Sequence, residues 1–179
     1  SYRNPVGNAG LRAALEAHAG GGGKLLIEGG EIGYDALENP GYPSFAANVL
    51  HIATWDADQA GHLPLAAGMG GHDLVTTPNA LPTTIQLTYD YFGDQDACGA
   101  RPEADVVYGT TSYPEDAGIL VYDDPGSGDG QVVYYAFDYA ALTSDVVARD
   151  LLENTLSYLL SGSQGVSQTR PAARVRLSR

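Results

Sequence analysis

The chain has 179 residues, 44% hydrophobic and 17% charged, which suits one domain with a core and argues against disorder. A formal charge of −13, with no Lys/Arg cluster in the body, excludes nucleic acid as a partner, and a single Cys excludes an internal disulfide or a multi-Cys zinc site. No apolar run approaches the ~18 residues of a transmembrane helix.

The charge is unevenly spread. Arg170, Arg174, Arg176 and Arg179 fall in the last ten residues, so residues 1–169 hold five Lys/Arg against 22 Asp/Glu, a balance of −17. A body at that charge repels itself and stays soluble. The basic tail is too short for a nucleic-acid arm, and residues 162–179 are expected to be a linker or the start of a following domain, with residues 1–161 as the folded unit. Ser1-Tyr2-Arg3-Asn4-Pro5 reads as a loop entering a helix, so the chain is expected to be a segment of a longer secreted protein.

Asn8 is placed to cap a helix over Ala9–Ala19, with Leu11, Ala14 and Leu15 on one face and Gly20 to Gly23 ending it. Lys24-Leu25-Leu26-Ile27-Glu28 lacks alternation and predicts a strand buried on both faces, followed by a Gly-rich turn and a helix start at 29–35. Residues 36–43 are turn-rich, and Ser44 is placed to cap a short helix, Phe45–Leu50. Residues 51–82 read as an irregular excursion, 83–89 as an alternating strand, 90–102 as a loop and 105–108 as a short strand. Gly118–Tyr122 and Gln131–Phe137 are the clearest strands, and the short polar loop between them predicts an antiparallel hairpin. A closing helix, about Ser144–Leu160, carries Val147, Leu151, Leu152, Leu156, Leu159 and Leu160 as its apolar stripe. Together these make an α/β layered domain whose sheet is mixed because of the late hairpin.

The run Gly22-Gly23-Lys24-Leu25-Leu26-Ile27-Glu28-Gly29-Gly30-Glu31-Ile32-Gly33-Tyr34-Asp35, followed by Phe45-Ala46-Ala47-Asn48-Val49-Leu50, resembles the class I glutamine amidotransferase-like fold, a flavodoxin-like layered sheet. The segments 132–142 and 151–160 fit the same likeness, which spans roughly residues 5–160. It is nearest to divergent copies carried as accessory domains of large secreted bacterial proteins. The resemblance implies secretion or display at the bacterial cell surface, with other domains or chains of the same parent protein as partners. It also implies early strands lying before residue 1.

Active members of that family place a Cys inside Gly-x-Cys-x-Gly at the strand-to-helix elbow and follow a late strand with His-x-Glu. Here the frame is Gly29-Gly30-Glu31-Ile32-Gly33, and Asp138-Tyr139-Ala140 stands at the second motif. A carboxylate does not do a thiolate's work on an amide, and no imidazole is matched to take the proton. The resemblance therefore implies a module without glutaminase activity, serving as a spacer or binding unit. The alternative is a hydrolase that reuses the elbow, with Glu31, His72 and Asp138 as acid/base groups.

Several further residues have a chemical and a plain structural reading. Glu28, Glu31 and Asp35 cluster at the elbow, either as carboxylates for a cation or reaction, or with Glu31 accepting from backbone N–H groups at the helix start. Asp56 and Asp58, alternating before Gly61, offer oxygens to a hard cation such as Ca²⁺ or build an Asx turn, and Asp96 in Asp94-Gln95-Asp96 is read the same way. His72 sits in a Gly-rich loop and serves either to orient a reacting group or to support the loop. Cys98, among acidic neighbours, reads as inert. The abundant Tyr residues pack sheet faces, or, near Tyr34, Tyr42 and Trp55, line a surface for a carbohydrate, peptide or polymer ligand.

Overall fold

The structure is a computed structural model and describes residues 6–88, 95–123 and 130–161. In chain order, α1 (Ala9–Gly20) leads into β1 (Lys24–Glu28), then α2 (Ile32–Leu37), α3 (Pro43–Phe45) and a π-helical turn (Ala46–Leu50). Next come β2 (Ile52–Asp58), β3 (Leu63–Pro64), a 3-10 turn (Met69–Gly71), α4 (Asp73–Thr76) and β4 (Thr84–Ile85). The last part holds β5 (Asp96–Ala100), β6 (Asp105–Gly109), β7 (Ala117–Asp123), β8 (Gln131–Tyr135), a 3-10 turn (Tyr139–Ala141) and α5 (Asp145–Leu160).

The main sheet runs β1-β8-β7-β5-β2, with β6 also pairing β7, and β3-β4 form a separate ribbon. β1 and β8 are parallel, with Glu28 opposite Tyr135; the other pairings are antiparallel, including the β7-β8 hairpin. Strand alternation divides the apolar residues between two cores. Ile119, Val121, Val133, Tyr135 and Phe137 face one layer, with Leu74, Leu151 and Tyr158 from α4 and α5. Leu120, Tyr134 and Ala136 face the other, with Ile32, Ala36, Phe45, Val49 and Leu50 from α2, α3 and the π turn. The result is a mixed α/β architecture with helices on both faces of the sheet. Among the described residues no helix is long and apolar enough to cross a membrane.

Local signals hold where the chain itself supplies them. Asn8 Oδ1 accepts from the Leu11 N–H at 3.0 Å and Ser144 Oγ from the Val147 N–H at 3.4 Å, so both long helices start where their caps predict. Gly22, at φ 82°, makes the left-handed turn between α1 and β1.

Six expectations are corrected. β1 is the outer strand, with one neighbour among the described residues, so it is half-buried and not buried on both faces. The excursion at 51–82 contains β2, and the loop at 90–102 contains β5; the two hydrogen-bond to each other with irregular register at Thr54 and Ala57. The strand at 83–89 shrinks to β4 and an isolated bridge between Leu87 and Leu142. The short helix starts at Pro43 with Tyr42 at the cap position, while the Ser44 hydroxyl donates to Glu16. On α5 the buried face is Leu151, Asn154, Thr155, Tyr158 and Leu159, whereas Leu156 and Leu160 are 46% and 79% exposed. Polar bonds set that phase. Asn154 accepts from the Asn79 N–H at 2.9 Å and donates to the carbonyls of Leu74 and Asn79, and Thr155 pairs with the Tyr135 hydroxyl. The tail at 162–179, Tyr89 and the tip of the β7-β8 loop lie outside the described residues.

Candidate functional site

β1 ends at the carboxyl end of β8, where the Gly29 N–H donates to the Tyr135 carbonyl at 3.1 Å. Gly30 and Glu31 then turn the chain into α2, giving the strand-turn-helix elbow at a sheet end where α/β folds place ligands. Glu31 occupies the cap position, but its side chain makes no cap hydrogen bond, so the expected bonding to the helix-start N–H groups is not formed.

The elbow is fixed by Asp96, the first residue of β5. Its Oδ1 accepts from Trp55 Nε1 at 2.6 Å and its Oδ2 from the Tyr34 N–H at 3.2 Å. The Trp55 indole meets the Tyr34 ring edge-on, with centroids 5.1 Å apart. Asp96 is buried, and burial pushes its carboxyl up to about 8; the bonds from Trp55 and Tyr34 pull it down, and the charges of Glu31 and Asp58 add to the rise. Gly33 completes the packing. A Cβ there would lie 2.6 Å from Cys98 Sγ and 2.8 Å from Asp96 Oδ2, so a side chain at this position of the elbow has no room. Cys98 and Tyr134 are fully buried behind it, and burial, more than neighbouring charge, raises both well above their usual range.

The structure thus gathers Glu31, Tyr34, Trp55 and Asp58 around Asp96. Asp35 lies on the inner face of α2, fully buried, with no hydrogen-bond partner on either carboxylate oxygen; burial pushes it up to about 6. Glu28 sits at the same end of the sheet and accepts from the Tyr139 N–H at 2.9 Å, while Asp138 Oδ1 accepts from the Ala140 N–H at 2.9 Å and starts the 3-10 turn. Both carboxylates are therefore used to hold the turn after β8.

His72 is elsewhere. It caps α4 through Nδ1, which accepts from the Leu74 N–H at 3.1 Å, and its ring lies 5.3 Å from that of Tyr158. The Tyr158 hydroxyl donates to Asp123 at 2.6 Å, and Asp123 pairs with Gln131 at the start of β8. Glu28 pairs with Tyr135 at its end. Four residue steps of strand, roughly 13 Å, separate those two levels of β8. The trio Glu31, His72 and Asp138 is not brought together, because His72 belongs to the opposite end of the sheet.

Asp56 and Asp58 lie on β2, not in an Asx turn, and Asp56 accepts from the Thr54 hydroxyl at 2.6 Å. Among the described residues no group of three or more His, Cys, Asp or Glu is placed to hold a metal ion.

Asp96 is the residue that sequence reasoning missed in this role. Its partners are 41 and 62 residues away, and the segment around it carries no strand signal, so no local pattern announces it.

No family model matches the chain, and no curated protein does. One solved structure, described as the "mmIFT52 N-terminal domain", is similar in fold, with a TM-score of 0.53 at 15% identity over 87% of this chain and 73% of that chain.

Proposed function

We propose that the chain is a non-catalytic accessory module with a class I glutamine amidotransferase-like fold, borne by a secreted multidomain protein and serving to bind or space. The observation that carries this reading is the Asp96 clamp. The strand-to-helix bend, where a nucleophile would need an open approach, is bonded from behind by a buried carboxyl and packed at Gly33 against a sulfur. A group with both oxygens engaged and no exposure has no reach to a substrate. Glu31 stands at the position that the likeness gives to a thiolate, and a carboxylate lacks the nucleophilicity for acyl transfer from an amide.

The test is turnover by the full chain of glutamine and of activated esters, against the Glu31→Gln variant. The expected result is no turnover above background in either. Hydrolysis lost on Glu31→Gln would instead install the elbow as an active site.

A further inference from the structure

A cavity of ≈ 630 Å³ opens at the other end of the sheet from the elbow, between α1, the π turn and the start of β8. That volume is in the range of small-molecule sites. On the α1 side Ala13, Ala17 and Gly20, at i, i+4 and i+7, with Ala19, leave room in the wall, and Glu16 is the one large side chain that α1 adds to it.

At the edge of the cavity sits His51, which closes the π turn in the left-handed conformation at φ 54° and ψ 37°, unusual for a residue with a Cβ. π turns and such backbone strain concentrate at functional positions. The imidazole stacks on Tyr122 with centroids 3.6 Å apart, and it is only 6% exposed. Neither ring nitrogen has a hydrogen-bond partner; Glu103 Oε1 is 3.7 Å from Nδ1, too far for a bond. Both ring nitrogens are closed off from solvent, Nδ1 toward Glu103, so the ring stacked on Tyr122 serves as a flat, largely apolar part of the wall.

The rest of the polar lining is mixed. Arg101 Nε donates to Glu103 at 2.8 Å, a bond that does not use its terminal amino groups. Across the cavity Asn48 donates to Ser44, and Ser44 donates to Glu16. Donors and acceptors are therefore interspersed on both sides. Two carboxylates against one guanidinium, on a body carrying −17 over residues 1–169, disfavour an anion. Arg101 inside the wall opposes an amine. A hydroxyl group donates and accepts at once and meets such a lining without bringing charge.

We propose that this cavity binds a neutral polyhydroxylated small molecule of the mono- or disaccharide class. The proposal rests on the binding part of the reading above and not on the amidotransferase likeness, so it stands or falls apart from the Glu31 assay.

The test is a ¹H–¹⁵N titration of the full chain with glucose, galactose and cellobiose, with glucuronate and glucosamine as the anionic and cationic arms. The expected result is saturable shifts of the His51, Asn48 and Tyr122 amides with at least one neutral sugar, at a Kd around 1 mM or tighter. Asn48→Ala and Arg101→Gln, both at solvent-accessible positions, weaken it about tenfold while the melting temperature is kept. Absence of saturable shifts with every neutral sugar, or shifts produced by glucuronate or glucosamine alone, would overturn it. Binding that both variants leave intact would overturn it as well.

Discussion

Trp55 of β2 pairs in register with Cys98 of β5, yet its side chain reaches Asp96 further along that strand, and the indole N–H donates to the carboxyl at 2.6 Å beneath the elbow. Trp55→Phe keeps an aromatic ring against Tyr34 and deletes the donor. It should cost about 1–3 kcal/mol in urea unfolding, because a buried acceptor loses its partner. The same bond holds the Asp96 carboxyl down, so the variant should raise it further. A Trp55→Phe protein as stable as the parent would show that the clamp does not support the fold.

Asp96 also sets a pH dependence. Its folded value, about 8, lies well above the ordinary range of a carboxyl in water, so the folded state holds the proton more tightly. Stability from this group is fully present below the unfolded value and is lost as pH rises through the folded one. His51 and His72 are lowered by burial and act in the opposite sense, losing stability as pH falls below 6.5. Between about pH 6.5 and 8 the Asp96 effect therefore stands apart, with a slope of at most about 1.4 kcal/mol per unit. Melting temperature should fall over that interval. Asp96→Asn should flatten the slope, while starting from lower stability because an amide nitrogen would face the Trp55 or Tyr34 N–H. An unchanged slope in Asp96→Asn would refute the assignment.

The parts of this fold legible in the sequence are those whose signals are local. Asn8 and Ser144 cap from within one turn, and the runs 24–28, 118–122 and 131–137 are apolar enough to declare strands. β2 and β5 were illegible because neither stands alone as a strand. β2 leaves Ala53, Thr54, Asp56 and Asp58 exposed, and β5 carries Asp96, Gly99 and two Ala, so pairing and burial hold what propensity does not. The candidate site suffered for that reason: Glu31, Tyr34 and Trp55 were visible as elements of the elbow or its surroundings, but their common partner lay in a segment read as loop. The phase of α5 failed differently. Counting leucines favours Leu156 and Leu160, whereas Asn154 and Thr155 turn inward because their hydrogen-bond partners are there.

Asp35 is a buried acid with no partner, and Asp35→Asn tests what that costs. Its folded value of about 6 lies above 3.8, so its contribution is greatest in acid and is lost as pH rises toward 6. Asn carries no charge at any of these values. The variant should gain on the order of 1 kcal/mol over the parent at pH 7. The gain should vanish near pH 4, where both side chains are neutral. Destabilisation at pH 7 would mean that the carboxylate has a partner that this arrangement lacks.

Asn154 offers the strongest test of the α5 register. Its amide satisfies the Leu74 carbonyl of α4 and the N–H and carbonyl of Asn79 beyond it, all within 2.9 Å, and it does so from a fully buried position. Asn154→Ala orphans those three backbone groups at once, and each costs about 1–3 kcal/mol when left buried and unpaired. Relaxation and water entry recover part of that, so a loss of about 2–4 kcal/mol is expected. Leu156→Ala, one helical step away on the exposed side, should change stability by less than about 1 kcal/mol. Urea unfolding of the two variants side by side decides the phase. If Leu156→Ala proved the more damaging, the leucine stripe would face the core and this packing of α5 would be wrong.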